Sequence, residues 1–414
     1  MEFGLIGNPL THSFSPEIHR RIGDYRYELR ELTPEELVPF FHQRDFRGVN
    51  VTIPYKQAVI PLVDELTDRA RRIGAVNTVV NRNGHLLGDN TDHAGLTDLL
   101  QSAGIRPEGR KVLIAGTGGT SKTARSVLSD LGAAEVLTVS RTPGKGDITY
   151  GQALSDHRDA AIIVNTTPVG MFPRDEETPL DPACFPGLTG VADAVYHPLR
   201  TALVLRARER GVPAVGGLRM LVAQAVHAAA LFTGQVFGTG TIDRVLREIT
   251  AEKENIVLIG MPTCGKTTVG RLLAEQLDRP FLDTDEKIAE ALGEPVPDYL
   301  QRNGEAAFRA VESRVVAEIS RETGAVIATG GGVPLRAENV RALKRNGRIV
   351  FLDRSPELLI PSPDRPLSRD RESLNRLYEQ RAGIYAAAAD LRVNGDGTPA
   401  EVASEIRKET EGEP

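Results

Sequence analysis

Lys111-Val112-Leu113-Ile114-Ala115-Gly116-Thr117-Gly118-Gly119-Thr120 and Asn255-Ile256-Val257-Leu258-Ile259-Gly260-Met261-Pro262-Thr263-Cys264-Gly265-Lys266-Thr267 are the two stretches on which the reading of this chain turns. In each, a short apolar run breaks into glycines and leads into a helical pattern, Thr120–Leu131 in the first and Thr267–Leu277 in the second. A strand, a glycine loop and a helix N-terminus set backbone N–H groups against phosphate, so each stretch can hold a nucleotide. The two differ in kind. Glycines without a lysine, as in Gly116, Thr117, Gly118, Gly119 and Thr120, suit the pyrophosphate of a dinucleotide. A loop closing in Gly-Lys-Thr suits a triphosphate, with Lys266 reaching the outer phosphates and Thr267 ligating Mg²⁺. One chain with both points to a redox step and a phosphoryl transfer.

Outward from these loops the pattern alternates. Phe3–Ile6, Val49–Ile53 and Thr78–Val80 read as strands, and Ser15–Gly23 and Thr91–Ala103 as helices. From Val112 the rhythm is regular, with strands Val112–Ala115, Glu135–Ser140, Ala161–Asn165 and Gly190–Asp193 and helices Thr120–Leu131 and Thr201–Arg210. That is the signature of a doubly wound, mostly parallel sheet. An alanine-rich helix, Met220–Phe232, and an amphipathic one, Thr241–Ile249, follow. The polar run Thr250–Glu254 then reads as a short linker before a second α/β pattern, with strands Ile256–Ile259, Val326–Thr329 and Arg348–Leu352 and helices Thr267–Leu277, Gly304–Glu322 and Arg371–Ala389.

With 414 residues the chain has room for two or three domains. A hydrophobic share of 40% and a charged share of 26% are those of globular proteins, and a net charge of −6 speaks against nucleic acid as a partner. Two cysteines, Cys184 and Cys264, do not make a disulfide framework. Neither a signal peptide nor a membrane-spanning run is evident, so the expected compartment is the cytoplasm, with small-molecule substrates and an open choice between monomer and homodimer.

Several polar motifs surround the first loop. Ser13-Phe14-Ser15-Pro16 opens a helix; serine before proline is also an ordinary N-cap. In Asn50-Val51-Thr52-Ile53-Pro54-Tyr55-Lys56 a strand ends in a turn that presents Thr52 and Lys56, and strand ends in α/β folds face clefts. Gly74-Ala75-Val76-Asn77-Thr78 and Gly88-Asp89-Asn90-Thr91-Asp92 add short polar side chains in turns. Together with Asn165–Met171, Asp193–Pro198 and Gly217–Gln224, this ordered set resembles shikimate dehydrogenase over residues 1 to about 250. The resemblance implies reversible, NADPH-dependent reduction of 3-dehydroshikimate to shikimate. It implies that Ser13 and Ser15 bind the substrate carboxylate, with Tyr196 assisting, that Thr52, Asn77, Asp92 and Gln224 read the ring hydroxyls, and that Lys56 and Asp92 are catalytic. A ketone gains negative charge as hydride arrives, and an ammonium within hydrogen-bond reach answers it. Thr166 and Gly217 join the glycine loop as implied NADP contacts. Ser140-Arg141-Thr142, after the second strand of the nucleotide domain, favours NADP over NAD, because arginine there fits an added phosphate. Ser140 stands where the family commonly has asparagine, and Thr123 where it often has a small residue.

The second loop is followed by Phe281-Leu282-Asp283-Thr284-Asp285, by Gly304-Glu305-Ala306-Ala307-Phe308-Arg309-Ala310-Val311-Glu312, by Gly330-Gly331-Gly332, by Arg365-Pro366-Leu367 and by Arg381 ahead of Tyr385. In this order they resemble shikimate kinase over residues 255 to about 405. The resemblance implies ATP-dependent phosphorylation of the shikimate 3-hydroxyl. Asp283 and Thr267 would hold Mg²⁺, Asp285 would orient or deprotonate the attacking hydroxyl, and Arg309 and Arg381 would grip the carboxylate beside Gly331 and Gly332. Arg365 would stabilise the transferring phosphoryl group from a lid. By spacing alone, Arg309 and Glu312 are equally an exposed helix pair of little worth. Between Leu352 and Arg365 the chain is short, carries prolines and is poor in the basic residues usual before this lid.

The implied fold is α/β throughout: a substrate domain over 1–92 and 217–250, a Rossmann NADP domain over 93–216, a linker at 251–254 and a P-loop, nucleoside-monophosphate-kinase-like domain with a parallel sheet over 255–414. Two resemblances from separate stretches name consecutive reactions of chorismate and aromatic amino acid biosynthesis. The alternatives are a dehydrogenase fused to a nucleotide-binding regulatory module, and oxidation of a related polyol acid such as quinate with NAD.

Overall fold

The computed structural model describes residues 1–10, 13–361 and 369–411. The chain forms two compact units, Met1–Ile249 and Thr250–Pro414.

The first unit holds two sheets. One comprises β1 (Phe3–Gly7), β2 (Tyr27–Glu31), β3 (Gly48–Val51), β4 (Glu65–Leu66), β5 (Thr78–Arg82) and β6 (His85–Asp89), in the order β2-β1-β3-β5-β6-β4. It is mixed: β1 runs parallel to β2 and β3, whereas β5 is antiparallel to β3 and β6. Every residue of β1 is buried, as expected of an apolar strand covered on both faces. Ile6, Val49, Val51 and Val79 pack with Leu37, Phe40 and Phe41 of the helix Pro34–Gln43. Phe3 and Val80, on the other face, meet Ala228 and Phe232 of the helix Leu218–Thr233.

The second sheet comprises β7 (Lys111–Ala115), β8 (Glu135–Ser140), β9 (Ile148–Thr149), β10 (Ile162–Asn165), β11 (Gly190–Asp193) and β12 (Ala214–Val215). Its order is β12-β11-β10-β7-β8-β9 and every pairing is parallel. The chain leaves β7 towards β8 on one side and returns to β10 on the other, so the strand order reverses at β7. A crevice opens at such a reversal, beyond the carboxyl ends of the strands, and Gly116 begins there.

The second unit has one parallel sheet of β13 (Asn255–Ile259), β14 (Phe281–Asp283), β15 (Val326–Ala328), β16 (Gly347–Asp353) and β17 (Leu391–Asn394), ordered β14-β15-β13-β16-β17. The central β13 is wholly buried and ends at Gly260.

Local structure departs from the sequence reading in three places. The run read as a linker is helical: Thr241–Lys253 is one helix, with Val245 and Ile249 buried. Ala251, Glu252 and Lys253 are good helix formers, so a polar stretch there extends the helix and does not break it. Within Val296–Ile319 two helices meet at Gly304, whose φ of 79° and ψ of 168° are not helical: the second begins where the sequence predicts it, and the first, from Val296, is the one the sequence reading lacks. Short elements such as β4, β9 and β12 span two residues each, too few to show a period. Among the described residues no helix is long and apolar enough to cross a membrane.

Candidate active sites

In the first unit four chain segments converge. Lys56 follows the turn after β3, and its Nζ donates to Asp92 Oδ2 at 2.5 Å, with both side chains largely buried. Asp92 opens the helix Asp92–Ser102, where the helix dipole favours a carboxylate. Asn77, just before β5, accepts from the Thr91 N–H at 2.7 Å and donates to Thr91 Oγ1 at 3.1 Å and to Gln224 Oε1 at 3.4 Å. Gln224 in turn donates to the Leu221 carbonyl. The two helices come this close because Gly95 has no side chain: a Cβ there would stand 2.7 Å from the Met220 carbonyl oxygen.

The serine turn differs from a plain cap. Phe14 holds the N-cap position of the helix Ser15–Ile22 without a side-chain cap bond, while Ser13 Oγ accepts from the Ser15 N–H at 3.3 Å. Capping therefore does not account for the Ser15 hydroxyl. The Tyr196 ring lies 5.3 Å from Phe14, and both pack with Leu218 and Val222 of the helix that carries Gln224. Burial pushes the Tyr196 phenol above its usual range. Thr52 abuts Gly7, where β1 ends.

The glycine loop borders a cleft of about 670 Å³ lined by Gly116, Thr117, Gly118, Gly119, Thr120, Ser140, Arg141, Thr142 and Thr166, and by Lys56. Gly116 has φ 110°, and a Cβ on it would lie 2.8 Å from Thr166 Oγ1. A Cβ on Gly119 would come within 3.3 Å of Lys56 Cβ, so the loop packs against the stem of the Lys56 side chain. Ser140 Oγ accepts from the Thr142 N–H, and Arg141 is exposed at the rim. Gly217 is not part of this lining; it sits tightly against the Ala194 carbonyl. A glycine loop at a helix N-terminus, a left-handed glycine and a cation in place of an acid after β8 fit a phosphorylated dinucleotide.

In the second unit Lys266 is buried, its Nζ donating to the carbonyls of Gly260 at 3.0 Å and Met261 at 2.8 Å. Pro262 precedes Thr263, which holds φ 64°, a conformation that costs a β-branched residue about 1–2 kcal/mol. Cys264 is buried, with Sγ 3.8 Å from Lys266 Nζ. Gly265, at φ 99°, caps the helix Lys266–Leu277. Thr267 Oγ1 donates to Asp283 Oδ2 at 2.8 Å, and Asp283 Oδ1 accepts from the Asp285 N–H. A hydroxyl beside a carboxylate suits Mg²⁺, which takes one or two protein oxygens and fills its shell with water and phosphate. Among the described residues, His, Cys, Asp and Glu form no metal-sized cluster of three or more.

The triple glycine is where the other groups meet. A Cβ on Gly330 would collide with Asp285 Oδ1, and one on Gly332 with the Arg309 guanidinium. A Cβ on Gly331 would lie 3.2 Å from Pro262 Cδ, which ties this turn to the P-loop. The Gly331 carbonyl accepts from Arg381 Nη1 at 3.1 Å and from the Tyr385 hydroxyl at 2.7 Å. Arg309 donates to both Glu312 oxygens at 2.8 and 2.9 Å, with Glu312 only 3% exposed, so the pair is not the exposed helix contact that spacing alone allowed. Burial pushes the Glu312 carboxyl up against the opposing pull of Arg309. Arg365 lies outside the described residues.

Comparison with known proteins bears on the family of each unit. Residues 5–79 match the family model for the shikimate dehydrogenase substrate binding domain. The shikimate dehydrogenase (NADP(+)) of Moorella thermoacetica is 36% identical over 270 residues, covering 59% of this chain and 92% of that protein. The enzyme of the same name from Rubrobacter xylanophilus is 40% identical over 268 residues, covering 59% and 94%. The chain belongs to the shikimate dehydrogenase family. The crystal structure of shikimate 5-dehydrogenase from Thermus thermophilus in complex with NADP(H) and shikimate has a TM-score of 0.54 at 32% identity, covering 60% of this chain and 99% of that one. Residues 262–411 match the family model for shikimate kinase. A shikimate dehydrogenase and a shikimate kinase domain are thus fused in one chain.

Within the shikimate dehydrogenase cleft stand residues that sequence reasoning passed over: Lys145, Tyr150, Thr167 and Arg174. Lys145 had a legible signal. Pro143-Gly144 marks a turn, Gly144 takes φ 78°, and the Lys145 N–H bonds back to the Thr142 carbonyl, which returns the lysine towards Arg141. Arg174 carries no such local mark.

Proposed function

We propose that the first unit reduces 3-dehydroshikimate to shikimate with NADPH and that the second transfers the γ-phosphoryl group of ATP, with Mg²⁺, to the shikimate 3-hydroxyl. The observation that carries this is the gathering of one proton-transfer group and its charge partners in each unit: Lys56 and Asp92 against Gly119, and Asp285 with Arg309 and Arg381 around Gly330–Gly332.

Bound NADPH supplies the hydride. Lys56 donates a proton to the carbonyl oxygen as charge develops there, and Asp92 keeps the amine in place and charged. Asn77, Gln224 and Thr52 position the ring hydroxyls, while Ser13, Ser15 and Tyr196 orient the carboxylate. Arg141, with Lys145 beside it, distinguishes NADP from NAD. In the second unit the γ-phosphoryl group comes from ATP. Asp285 accepts the proton of the attacking hydroxyl, Arg309 and Arg381 fix the carboxylate, and Lys266 exchanges its two loop carbonyls for phosphate oxygens. Thr267 and Asp283 would hold the metal. Both cysteines are free, in keeping with the reducing cytoplasm we propose as the compartment.

A coupled assay tests the reading. Purified full-length protein is given 3-dehydroshikimate, NADPH, ATP and Mg²⁺, and the products are resolved by mass spectrometry. Shikimate 3-phosphate is expected. Accumulation of shikimate alone would turn the second unit into a nucleotide-binding regulatory module and remove the kinase from the proposal.

A further inference from the structure

The stretch from Asp353 to Asp364 carries a single basic residue, Arg354, and none of the roles above uses it. Arg354 directly follows β16, which is hydrogen-bonded beside β13, the strand that launches the P-loop. It therefore stands at the carboxyl end of the sheet, where ligands of open α/β folds bind. Among the described residues its guanidinium makes no hydrogen bond or ion pair, and its Nε is buried without a partner. An unpaired buried donor on a cation is costly, which is reason to ask what it serves.

The carboxylates nearest it in sequence are bonded to other groups, Asp396 feeling the Arg354 charge without a hydrogen bond to it among the described residues. Asp353 is held by Arg392 and by the Tyr378 hydroxyl, and Asp396 accepts from the Ser355 N–H at 2.7 Å and its hydroxyl at 2.6 Å. Arg354 instead reaches over the loop. Its Nη1 lies 4.0 Å from the point where a Cβ on Gly265 would stand, as near as Val269 Cγ2. That point lies beside the N-terminus of the helix Lys266–Leu277, whose first-turn N–H groups attract anions.

We propose that Arg354 is a phosphate-binding cation of the second unit, contacting the phosphate chain of the bound nucleotide alongside Lys266. The inference rests on the P-loop reading of that unit. A guanidinium fork matches phosphate oxygens, and such charge-assisted bonds strengthen binding about tenfold or more.

Isothermal titration of the full-length protein with ADP, and competition of pyrophosphate against ADP, test it. Arg354→Ala is expected to weaken both ligands about tenfold while changing the melting temperature of the protein without nucleotide little, because among the described residues the guanidinium makes no hydrogen bond or ion pair. Arg354→Lys should recover part of the affinity. Undiminished ADP binding by Arg354→Ala would overturn the proposal. So would weakened ADP with pyrophosphate competing as in the wild type, since that places the guanidinium on base or ribose. Lys266→Ala, run in parallel, separates the two levels: if it too binds ADP normally, the P-loop reading itself has failed.

Discussion

At Gly116–Thr120 the phosphate loop has no cation of its own, and the lysine whose stem packs against it, Lys56, comes from the turn after β3 in the other sheet of the unit. At Gly260–Thr267 the cation is built into the loop, where it is bonded to two loop carbonyls. The contrast follows the proposed chemistry. In the first unit positive charge is needed as a proton donor at a carbonyl, so it belongs to the substrate side and meets the cofactor loop only through packing. In the second unit it is needed on phosphate oxygens, so it belongs to the loop and can exchange one set of oxygen partners for another.

The largest expected effects come from removing each amine. Lys56→Ala should lower turnover of the reduction by about 10²–10⁴-fold, with a smaller change in KM, while phosphorylation continues. Lys266→Ala should abolish phosphorylation and spare the reduction. Steady-state kinetics of both reactions on each variant decide the matter; a variant that loses both would break the comparison. Next come the glycines that hold each site open. Gly332→Ala drives a methyl group into the Arg309 guanidinium and should lower kcat/KM for shikimate by up to about a hundredfold, chiefly through KM. Gly119→Ala meets Lys56 at 3.3 Å, a contact a small shift relieves, so its effect on the reduction should be milder. If the two glycines ranked the other way, the loop in the first unit would be the more tightly coupled one.

Arg141→Ala should reduce the preference for NADPH over NADH by about tenfold, read as the ratio of kcat/KM values. An unchanged ratio would hand cofactor choice to Lys145. The last effect, absent at neutral pH, concerns acid stability. Burial lowers His19 from 6.5 to about 3, with its ring stacked on Tyr27 at 3.7 Å and Nδ1 2.6 Å from the Tyr25 hydroxyl. The folded chain keeps this imidazole neutral while the unfolded chain protonates it. Its contribution is therefore intact above pH 6.5 and declines as pH falls towards 3, by at most about 1.4 kcal/mol per unit. All eight histidines precede residue 228, so the second unit has no counterpart. Urea unfolding at a series of pH values should show the slope, and His19→Gln should flatten it.

Local pattern accounts for much of this molecule. Both glycine loops are legible because a buried strand, a glycine turn and a helix N-terminus all announce themselves within a dozen residues. The turn residues Asn77 and Asp92 are legible as polar side chains in tight turns, although nothing local says that Asn77 reaches Gln224 or that Asp92 reaches Lys56. The end of the helix Thr241–Lys253 is not legible, because charge marks exposure equally well in a linker and on a helix surface. Arg309 and Glu312 show the limit most clearly. Their spacing predicts a contact, but only the packing around them decides that Glu312 is buried and the pair a fixed part of the site.

By itself the sequence determined the α/β class, the two kinds of nucleotide loop and the polar residues available to serve them, because these depend on neighbours in the chain. The tertiary structure alone decided which of those residues stand together: Lys56 beside Gly119, Asp285 beside Gly330, Arg309 beside Gly332 and Arg354 over Gly265. Each of those contacts joins segments far apart in sequence, and their distances are set by how strands order in a sheet and how closely a missing Cβ lets two backbones approach.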